Sequence, residues 1–547
     1  MMAFSIQLTF PEKSWREWLI AGLVFGSSAL HFSFFFSYTQ LIGDEGIVLQ
    51  GAQRILEGQI LYRDFFSFLT PGSFYWNALF LKIFGNSILV ARTVLLVEGA
   101  LLSTITYLLA RRVCARWTSF LAALSVTLTS LPHWFLVLHN WDSTLWASLA
   151  LYCAVLFLQS PRHLSVLAIG WFVVLTCMFE QSKGAGIVVG LALAFAIIAA
   201  TDPAMVRYWK PFRTTLVVGL ILPFLAAFLY FAVNHSSLQM AAGWFWPLRH
   251  YSEINKTAYG FVAPVSALGR IYSGPWDSRL VAIIVTAPWF IIPALPLISV
   301  ASLTHGILKR WRGTSHGPGG AYHVLVSSTV IGSLLSLVAT GRPDFTHLLY
   351  LSPIVFITVA WLIDGQMPAR PAFRVIQPLL TVVILLSCFA FGMALLSKPL
   401  SASRIVNTRR GTLKAARADE IIEYIQQNVS AGELILVYPD QPLYYYLTAT
   451  SNPTSYEYLI PGFHTAEQYQ AFVKAFDERK PRLVFLEPSY RERLSAGNLN
   501  LSARLLTERD VVAEYIGAHY QACADLTAQN GQHFLAMVRD DLSCPER

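Results

Sequence analysis

The feature that most constrains this chain is a series of apolar segments, each long enough to cross a lipid bilayer. A membrane-spanning helix takes roughly 20 residues, and only 13% of the 547 residues are charged, against about 25% in soluble domains. About eleven segments qualify: 17–36, 87–109, 117–136, 141–159, 164–180, 184–200, 213–234, 279–303, 322–340, 346–364 and 376–397. The sequence therefore predicts a mainly α-helical, polytopic membrane bundle.

Basic residues predict how this bundle is oriented. If the spans alternate, the basic clusters all fall on one side of the membrane: Lys13, Arg16, Arg111, Arg112, Arg116, Arg162, Arg207, Lys210, Arg213, Lys309, Arg310, Arg312, Arg370 and Arg374. Basic loops stay in the cytoplasm, so the N-terminus is predicted to be cytoplasmic and the C-terminus extracytoplasmic. The net charge of +8 reflects these loops and does not indicate nucleic-acid binding. We expect a multi-pass protein of a bacterial inner (plasma) membrane, in contact with membrane lipids.

Two polar regions interrupt the apolar pattern. The first outer loop, 37–86, carries apolar residues at helical spacing in Glu45–Leu56 and Ser73–Phe84, which predicts two amphipathic helices along the membrane surface. After Ser401, predicted strands at 434–438 and 482–486, with a possible third at 533–538, alternate with predicted helices at 415–429 and 467–476. We therefore predict a membrane domain over 1–400 and a small extracytoplasmic α/β domain over 401–547.

The cysteines fall into two groups. Four of them lie in or beside apolar segments and are most simply packing residues: Cys114, Cys153, Cys177 and Cys388. Cys523 and Cys544 both lie in the polar tail, where they can pair if the tail is in an oxidising compartment. Sequence spacing alone leaves that pairing open.

Two adjacent carboxylates, Asp44 and Glu45, directly follow the first span at the predicted outer surface. A carboxylate there can take a proton from an acceptor hydroxyl as that hydroxyl attacks a lipid-borne sugar. Asp is also favoured as a helix N-cap, and on base rates for a single residue the cap is the better explanation of Asp44. The surrounding sequence decides between these interpretations.

The first outer loop contains a set of spaced motifs. They are Gly43-Asp44-Glu45-Gly46, Gly58-Gln59-Ile60-Leu61-Tyr62-Arg63-Asp64, Thr70-Pro71-Gly72, Phe84-Gly85-Asn86-Ser87 and Ala91-Arg92. Together they resemble the first outer loop of the GT-C glycosyltransferases, which include the dolichyl-phosphate-mannose protein mannosyltransferases and the bacterial aminoarabinose transferase of lipid A. The resemblance covers residues 15–200 and, by layout, the rest of the membrane region, and it implies a GT-C type of membrane domain.

The resemblance also implies site residues. Asp44 matches the catalytic carboxylate and Glu45 the neighbouring, supporting acid. Asp142, near the outer end of the fourth span, matches the family's second acid; a helix N-cap is again the alternative, although an acid that faces into a membrane bundle is usually functional.

Four further residues are candidates for substrate binding. Arg63 lies in the first-loop motif, and Lys183 lies in a polar segment that resembles the family's Lys-x-x-Gly and can meet a phosphate as a point charge. Arg342 suits bidentate phosphate recognition, and His347 can donate to the leaving phosphate. A headgroup anchor is the alternative for Lys183, and an interfacial turn with a snorkelling side chain is the alternative for Arg342.

The sequence identifies no certain cofactor. The aminoarabinose transferase has a metal-binding acid shortly before the first-loop proline, whereas Phe68-Leu69-Thr70 occupies that place here, and Asp64 lies too far upstream. The metal ligands are therefore unknown. A divalent cation that bridges Asp44 and the donor phosphate remains possible.

These observations predict an inverting glycosyltransferase. Asp44 would act as base on a hydroxyl of a cell-envelope acceptor (lipid, glycan or protein), and the sugar would come from a polyprenyl phosphate. A lipid donor agrees with the lack of nucleotide-binding motifs in the sequence. The alternatives are a lipid-linked-sugar transporter or flippase, which would carry its polar residues near the membrane midplane, and an oligosaccharide ligase or polymerase, which would not predict the Asp-Glu pair.

Overall fold

The structure, a computed structural model, describes residues 15–202, 209–251, 256–262, 265, 269, 275–311, 318–361, 363–364, 371–496 and 509–545. Among the predicted basic clusters, Lys13, Arg207, Arg312 and Arg370 lie outside these residues. The helices before Ser401 are α1 (Trp15–Ser33), α2 (Gly43–Leu56), α3 (Gly72–Phe84), α4 (Ile88–Ala110), α5 (Arg116–Thr129), α6 (His139–Gln159), α7 (His163–Phe179), α8 (Gln181–Thr201), α9 (Arg213–Val233), α10 (Ser237–Trp246), α11 (Trp276–Thr286), α12 (Pro288–Trp311), α13 (Pro318–Ala339), α14 (Phe345–Leu349), α15 (Ser352–Trp361) and α16 (Pro371–Ser401).

Seven segments of the described chain are helical, long and apolar enough to cross a membrane: Ile88–Ala110, His139–Gln159, Gln181–Thr201, Lys210–Val233, Pro288–Leu308, Ala321–Ala339 and Thr381–Ser401. Helices α7 and α15 are apolar but shorter. The predicted mainly helical, multi-pass membrane fold is thus confirmed. The predicted number of eleven spans is not confirmed, in part because α5 has only 14 residues.

Two of the predicted spans are broken helices. The predicted span 279–303 is divided between α11 and α12, and Pro288 opens α12 because proline has no amide hydrogen with which to continue the preceding helix. The predicted span 346–364 is divided between α14 and α15, again with a proline, Pro353, in the first turn of the second helix. Hydropathy windows detect apolar length, but they do not detect such interruptions.

The two helices predicted in the first outer loop are present as α2 and α3. Helix α2 buries one face completely, with Val48, Leu49 and Ala52 at 0% exposure. It lies between the membrane bundle and the residues that follow α16. The loop therefore joins the two halves of the molecule.

Residues after Ser401 form a mixed α/β structure. Its elements are β1 (Arg404–Thr408), β2 (Gly411–Ala415), α17 (Glu420–Asn428), β3 (Ile435–Tyr438), α18 (Leu443–Thr448), α19 (Ala466–Arg479), β4 (Leu483–Leu486), α20 (Tyr490–Ala496), α21 (Val511–His519), β5 (Tyr520–Thr527) and β6 (His533–Arg539). A four-stranded sheet has the order β3-β4-β6-β5, in which β3 and β4 are parallel and the other neighbours are antiparallel. We refer to residues 404–545 as the C-terminal region.

The sequence predicted part of this region. The three expected strands are present as β3, β4 and β6, and the helix expected at 467–476 is present as α19. The helix expected at 415–429 is shorter, because Ala415 ends β2 and Asp419 caps α17 by accepting a hydrogen bond from the Ile422 amide. The hairpin β1–β2 and strand β5 were not predicted. Cys523 and Cys544 form a disulfide, with their Cα atoms 5.5 Å apart.

The hairpin attaches the C-terminal region to the first outer loop. The Lys414 amide donates to the Ser37 carbonyl (2.7 Å), and the Lys414 carbonyl accepts from the Thr39 amide (2.9 Å). Further along the loop, Arg54 forms a buried salt bridge of 2.5 Å with Glu457. Backbone pairing and a buried ion pair thus join the two halves.

A glycine of the first-loop motif permits the closest approach between the halves. A Cβ atom on Gly46 would lie 2.0 Å from the Leu443 amide nitrogen at the start of α18. No side chain fits that space, because the neighbour is backbone. Gly46 therefore lets α18 pack directly on α2.

Candidate functional site

A cavity of about 390 Å³ lies where the membrane bundle meets the C-terminal region. Its walls come from both halves: the membrane half contributes Asp44, Ile47, Phe68, Leu69, Trp134, Leu138, His139, Asn140, Thr257, Arg342, Asp344, Thr346, His347 and Tyr350, and the C-terminal region contributes Asp440, Tyr458, Ile460, Phe463, Tyr490, Arg493 and Leu494. We call these the membrane wall and the C-terminal wall. The size is in the range of small-molecule sites.

Asp44 projects into this cavity from the first turn of α2. Its side chain lines the cavity and is exposed there. Desolvation by the surrounding protein atoms raises the pKa of Asp44, and the charges of Arg342 and His347 partly offset the rise. The N-cap of α2 is Ile42, which has no side-chain cap, so the interpretation of Asp44 as a helix cap is wrong.

The segment between α13 and α14 provides the cationic part of the membrane wall. His347 Nδ1 lies 2.9 Å from Asp344 Oδ2, and the His347 amide donates to the same carboxylate. Burial would raise the pKa of Asp344, but the hydrogen bonds from His347 and the charges of His347 and Arg342 lower it to about 2. Asp344 is therefore ionised at neutral pH and fixes the orientation of the His347 ring. Arg342 and His347, two of the predicted substrate-binding residues, thus lie in one cavity with Asp44.

Glu45 lies outside the cavity. Its carboxylate accepts two hydrogen bonds from Arg92, at 2.9 and 2.6 Å, and a third from the Val137 amide at 3.1 Å. Both side chains of the pair have 0% exposure. The structure therefore places Glu45 in a supporting position, where it fixes α2 to α4 and to the segment before α6.

Asp142 also lies outside the cavity, in a second polar cluster. It accepts a hydrogen bond from Ser73 of α3, and Glu98 of α4 accepts one from Trp76 (2.8 Å) and interacts with Asp142. The N-cap of α6 is Leu138, so Asp142 is not a cap either. In this structure Asp142 connects α3, α4 and α6.

Lys183 is buried beside that cluster. Its ammonium donates to the Asn140 carbonyl (2.7 Å) and to the hydroxyls of Ser143 and Thr144 (2.9 and 2.8 Å), and it forms a 3.0 Å salt bridge with Glu180. An ammonium has three protons, and these contacts use its donors. Lys183 thus holds α6 and α8 together and does not line the cavity. Neither a phosphate contact nor an exposed headgroup anchor agrees with this position.

Arg63 is the remaining predicted residue, and it lies on the surface of the first loop. It pairs with Asp64 at 2.9 Å, and its side chain is 42% exposed. It does not line the cavity. Within the described residues, no group of three or more His, Cys, Asp or Glu side chains can hold a metal ion.

Comparisons with known proteins agree with this architecture. Residues 69–231 match the family model of dolichyl-phosphate-mannose-protein mannosyltransferases, which is less than a third of the chain. One similar solved structure is ArnT from Cupriavidus metallidurans bound to undecaprenyl phosphate: identity is 14%, TM-score 0.55, and coverage 96% of this chain and 99% of that chain. No curated protein matches significantly in sequence.

A second similar structure is the archaeal oligosaccharyltransferase AglB from Archaeoglobus fulgidus in complex with an inhibitory peptide and a dolichol-phosphate. Its identity to this chain is 12%, its TM-score is 0.54, and the alignment covers 97% of this chain and 75% of that chain. The chain has the GT-C fold. The fold that the first-loop motifs predicted is thereby confirmed.

Sequence reasoning missed the C-terminal wall of this GT-C cavity. Asp440 directly follows β3, and Tyr490 and Arg493 follow β4. Burial and repulsion by the Asp44 carboxylate raise the pKa of Asp440 to about 7. One signal was available: the carboxyl ends of parallel strands are where open α/β sheets bind ligands, and Asp440 is the acidic residue closest after the first predicted strand.

Proposed function

We propose that this protein transfers a sugar from a polyprenyl-phosphate donor to a hydroxyl of a cell-envelope acceptor, with inversion at the anomeric carbon. The observation that carries the proposal is the placement of Asp44, Arg342 and His347 around one cavity at the end of the helices. A base and two phosphate-binding side chains are the groups that such a transfer requires.

The step is a single displacement. The acceptor oxygen attacks the anomeric carbon as the Asp44 carboxylate takes the hydroxyl proton. The bond between the anomeric carbon and the phosphate oxygen breaks, and its electron pair leaves with the polyprenyl phosphate. Arg342 and His347 meet the charge that develops on that phosphate. The charge of Arg342 also favours the ionised form of Asp44, which is the form that a base needs.

The other predicted residues have supporting roles in this proposal. Glu45 fixes the helix that carries Asp44, through its bonds to Arg92. Lys183 and Asp142 connect the helices that carry the cavity residues, Asp142 by its bond with Ser73 of α3 and Lys183 by its bond to Thr144 of α6. The polar cavity lies at one end of the bundle, which favours a transferase over a transporter with a binding site at the membrane midplane.

The test is complementation of a strain from which this gene has been deleted. Mass spectrometry of the envelope glycans and lipids should show one sugar missing in the deletion strain, which also identifies the acceptor. The wild-type gene should restore the sugar, and Asp44→Asn should not, because loss of a general base costs about 10²–10⁴-fold in rate.

The matched control is Asp64→Asn, which alters a carboxylate of the same loop that does not line the cavity. It should restore the sugar as the wild type does. Immunoblots of the membrane fraction must show equal amounts of all variants. Full restoration by Asp44→Asn would contradict the assignment of Asp44 as the base, and an unchanged glycan profile after deletion would contradict the proposed function as a whole.

A further inference from the structure

We propose that the acceptor is a carbohydrate, and that Asp440 of the C-terminal region binds it by accepting hydrogen bonds from its ring hydroxyls. This inference rests on the proposed function, since it assigns the second substrate of the same cavity. It assigns the membrane wall to the donor phosphate and the C-terminal wall to the acceptor sugar.

The topology of the sheet places these groups. Strands β3 and β4 are parallel and paired in register from Ile435–Leu483 to Tyr438–Leu486. The carboxyl ends of both strands therefore lie side by side, and Asp440 and Tyr490 come from the two segments that follow them. Ligands of open α/β sheets bind beyond the carboxyl ends of the strands, and here these ends face Asp44 across the cavity.

The polar groups of the C-terminal wall match a neutral, hydroxyl-rich ligand. Arg493 donates two hydrogen bonds to Glu487, at 2.7 and 2.9 Å, and its guanidinium lies 4.9 Å from the centre of the Tyr490 ring. Its charge is therefore balanced, so this wall offers no excess positive charge to a second phosphate. Asp440 adds a carboxyl group whose pKa is about 7. Above that pH it is ionised and accepts only, which suits the donating hydroxyls of a sugar.

The apolar side chains of the same wall also agree with a sugar ring. Tyr458 and Phe463 are buried and stack edge-on against Phe68 of the membrane wall, at centroid distances of 6.2 Å in both pairs. Such fixed aromatic rings provide flat apolar surface for the C–H face of a pyranose. The Asp440 carboxyl group together with these rings suits an amphipathic sugar better than an acyl chain.

A peptide acceptor fits this wall less well. Extended peptides bind by adding to an exposed sheet edge, and β3 is the edge strand on this side. Its residues are buried, and Ser451 already pairs with its start, with the Ile435 amide donating to the Ser451 carbonyl at 3.1 Å. The edge is thus occupied by the chain itself at that point.

The test uses the full-length protein in nanodiscs, with saturation-transfer NMR to measure binding. The probes are a set of methyl hexopyranosides, a short Ser-containing peptide, 1-octanol and undecaprenyl phosphate. At pH 8, where Asp440 is ionised, we expect at least one pyranoside to bind, and Asp440→Asn to weaken that binding by about tenfold or more, because a hydrogen bond to a charged group is lost. Undecaprenyl phosphate should bind the variant as it binds the wild type.

The matched control is Glu457→Gln. Glu457 is another buried carboxylate of the C-terminal region, and it bonds Arg54 at the same interface without lining the cavity. Because Glu457→Gln leaves Arg54 buried without its counter-charge, it should loosen this interface and make limited proteolysis between the halves faster. Asp440→Asn should weaken pyranoside binding while its proteolysis rate stays at the wild-type value. If Asp440→Asn is instead cleaved as fast as Glu457→Gln, its effect is loosening of the interface, and the role of Asp440 is overturned.

The remaining outcomes separate the two proposals. One outcome is that undecaprenyl phosphate binds together with the peptide or octanol, while no pyranoside binds. The inference of a carbohydrate acceptor is then overturned, and the proposed function stands. Binding of no acceptor probe beside bound undecaprenyl phosphate overturns it as well. If undecaprenyl phosphate itself fails to bind the wild type, the proposed function fails first, because its donor site is absent.

Discussion

The two walls of the cavity are built differently. In the membrane wall, Asp344 and His347 are fixed to one another by two hydrogen bonds, and the Arg342 guanidinium and the His347 imidazole line the cavity with Asp44. In the C-terminal wall, three of the lining residues are aromatic, the one guanidinium is balanced by Glu487, and Asp440 is acidic. The difference indicates a division of labour: one wall suits a phosphate and the other a neutral, hydroxylated group.

The largest expected effect tests whether the buried Glu45–Arg92 ion pair is needed to stabilise the helix that carries Asp44. Glu45→Gln leaves Arg92 buried without its counter-charge, and breaking a buried ion pair costs about 3–5 kcal/mol. We expect a large fall in the thermal stability of the detergent-solubilised protein, followed by fluorescence-detected size-exclusion chromatography. Activity should be lost together with the fold.

The double variant Glu45→Met/Arg92→Met should recover much of that stability, because no unpaired charge remains. Asp64→Asn, on the surface of the same loop, should stay near the wild type. A Glu45→Gln protein that is as stable as the wild type but inactive would instead mean that Glu45 takes part in the chemistry.

The second effect tests the cationic character of the membrane wall. Arg342→Ala should raise the KM for the polyprenyl donor by about 10–150-fold, since a hydrogen bond to a charged group contributes roughly 1.5–3 kcal/mol. The KM for the acceptor should change little, because the acceptor is assigned to the other wall. Steady-state kinetics that vary one substrate at a time separate the two.

Arg63→Ala is the control for this measurement. Arg63 is the other arginine of the predicted substrate site, yet its side chain is exposed and pairs with Asp64. A rise in donor KM for Arg63→Ala but not for Arg342→Ala would mean that Arg63, and not Arg342, binds the donor phosphate. The assignment of the donor phosphate to the membrane wall would then be wrong.

The sequence predicted the membrane wall better than the C-terminal wall, for a physical reason. Asp44 lies in a dense local motif, and Arg342 and His347 lie five residues apart at the junction of two apolar segments. Local pattern and topology therefore placed them on one side. Asp440 reaches the same cavity only through the pairing of β3 with β4 and the packing of α18 on α2. Such long-range contacts leave no periodicity in the sequence.

Sequence reasoning did not distinguish charged residues that line the cavity from charged residues that are bonded within the bundle. Glu45, Asp142 and Lys183 have the residue types and positions of site groups, and a charge in a membrane bundle favours function. In the structure each is bonded to neighbouring helices, as in the contacts of Lys183 with Asn140 and Thr144. Burial and the positions of the hydrogen-bond partners distinguish a residue that lines the cavity from one that is bonded within the bundle. Neither can be read from the sequence.

The third effect tests whether the two walls must be in close contact. Gly46→Ala places a Cβ atom on the backbone of Leu443, and overpacking of this kind costs about 1–3 kcal/mol. The C-terminal region should move away from α2, so that limited proteolysis between the halves becomes faster. Gly22→Ala in α1, where a Cβ would meet nothing within 4 Å, should leave the proteolysis rate unchanged.

The smallest effect concerns the pH dependence of stability, and it tests the acidic character of the C-terminal wall. The pKa of Asp440 is about 7 in the folded protein, against an ordinary value of 3.8. The folded state therefore binds a proton more tightly than the unfolded state. The stability gained in this way is fully present below pH 4 and is lost as the pH rises through 7.

The contribution of Asp440 should therefore make the unfolding temperature of the wild-type protein higher at pH 5.5 than at pH 8. Asp44, whose pKa is also raised, adds to the same trend, whereas Asp344, at about 2, stays ionised across this window and contributes nothing. Asp440→Asn cannot titrate, so the difference between the two pH values should shrink by a few degrees relative to the wild type. Histidines change both proteins alike and cancel in this comparison. If the variant and the wild type show the same difference between the two pH values, the pKa of Asp440 is not raised by burial beside Asp44. The description of the C-terminal wall as the acidic wall of this cavity would then be wrong.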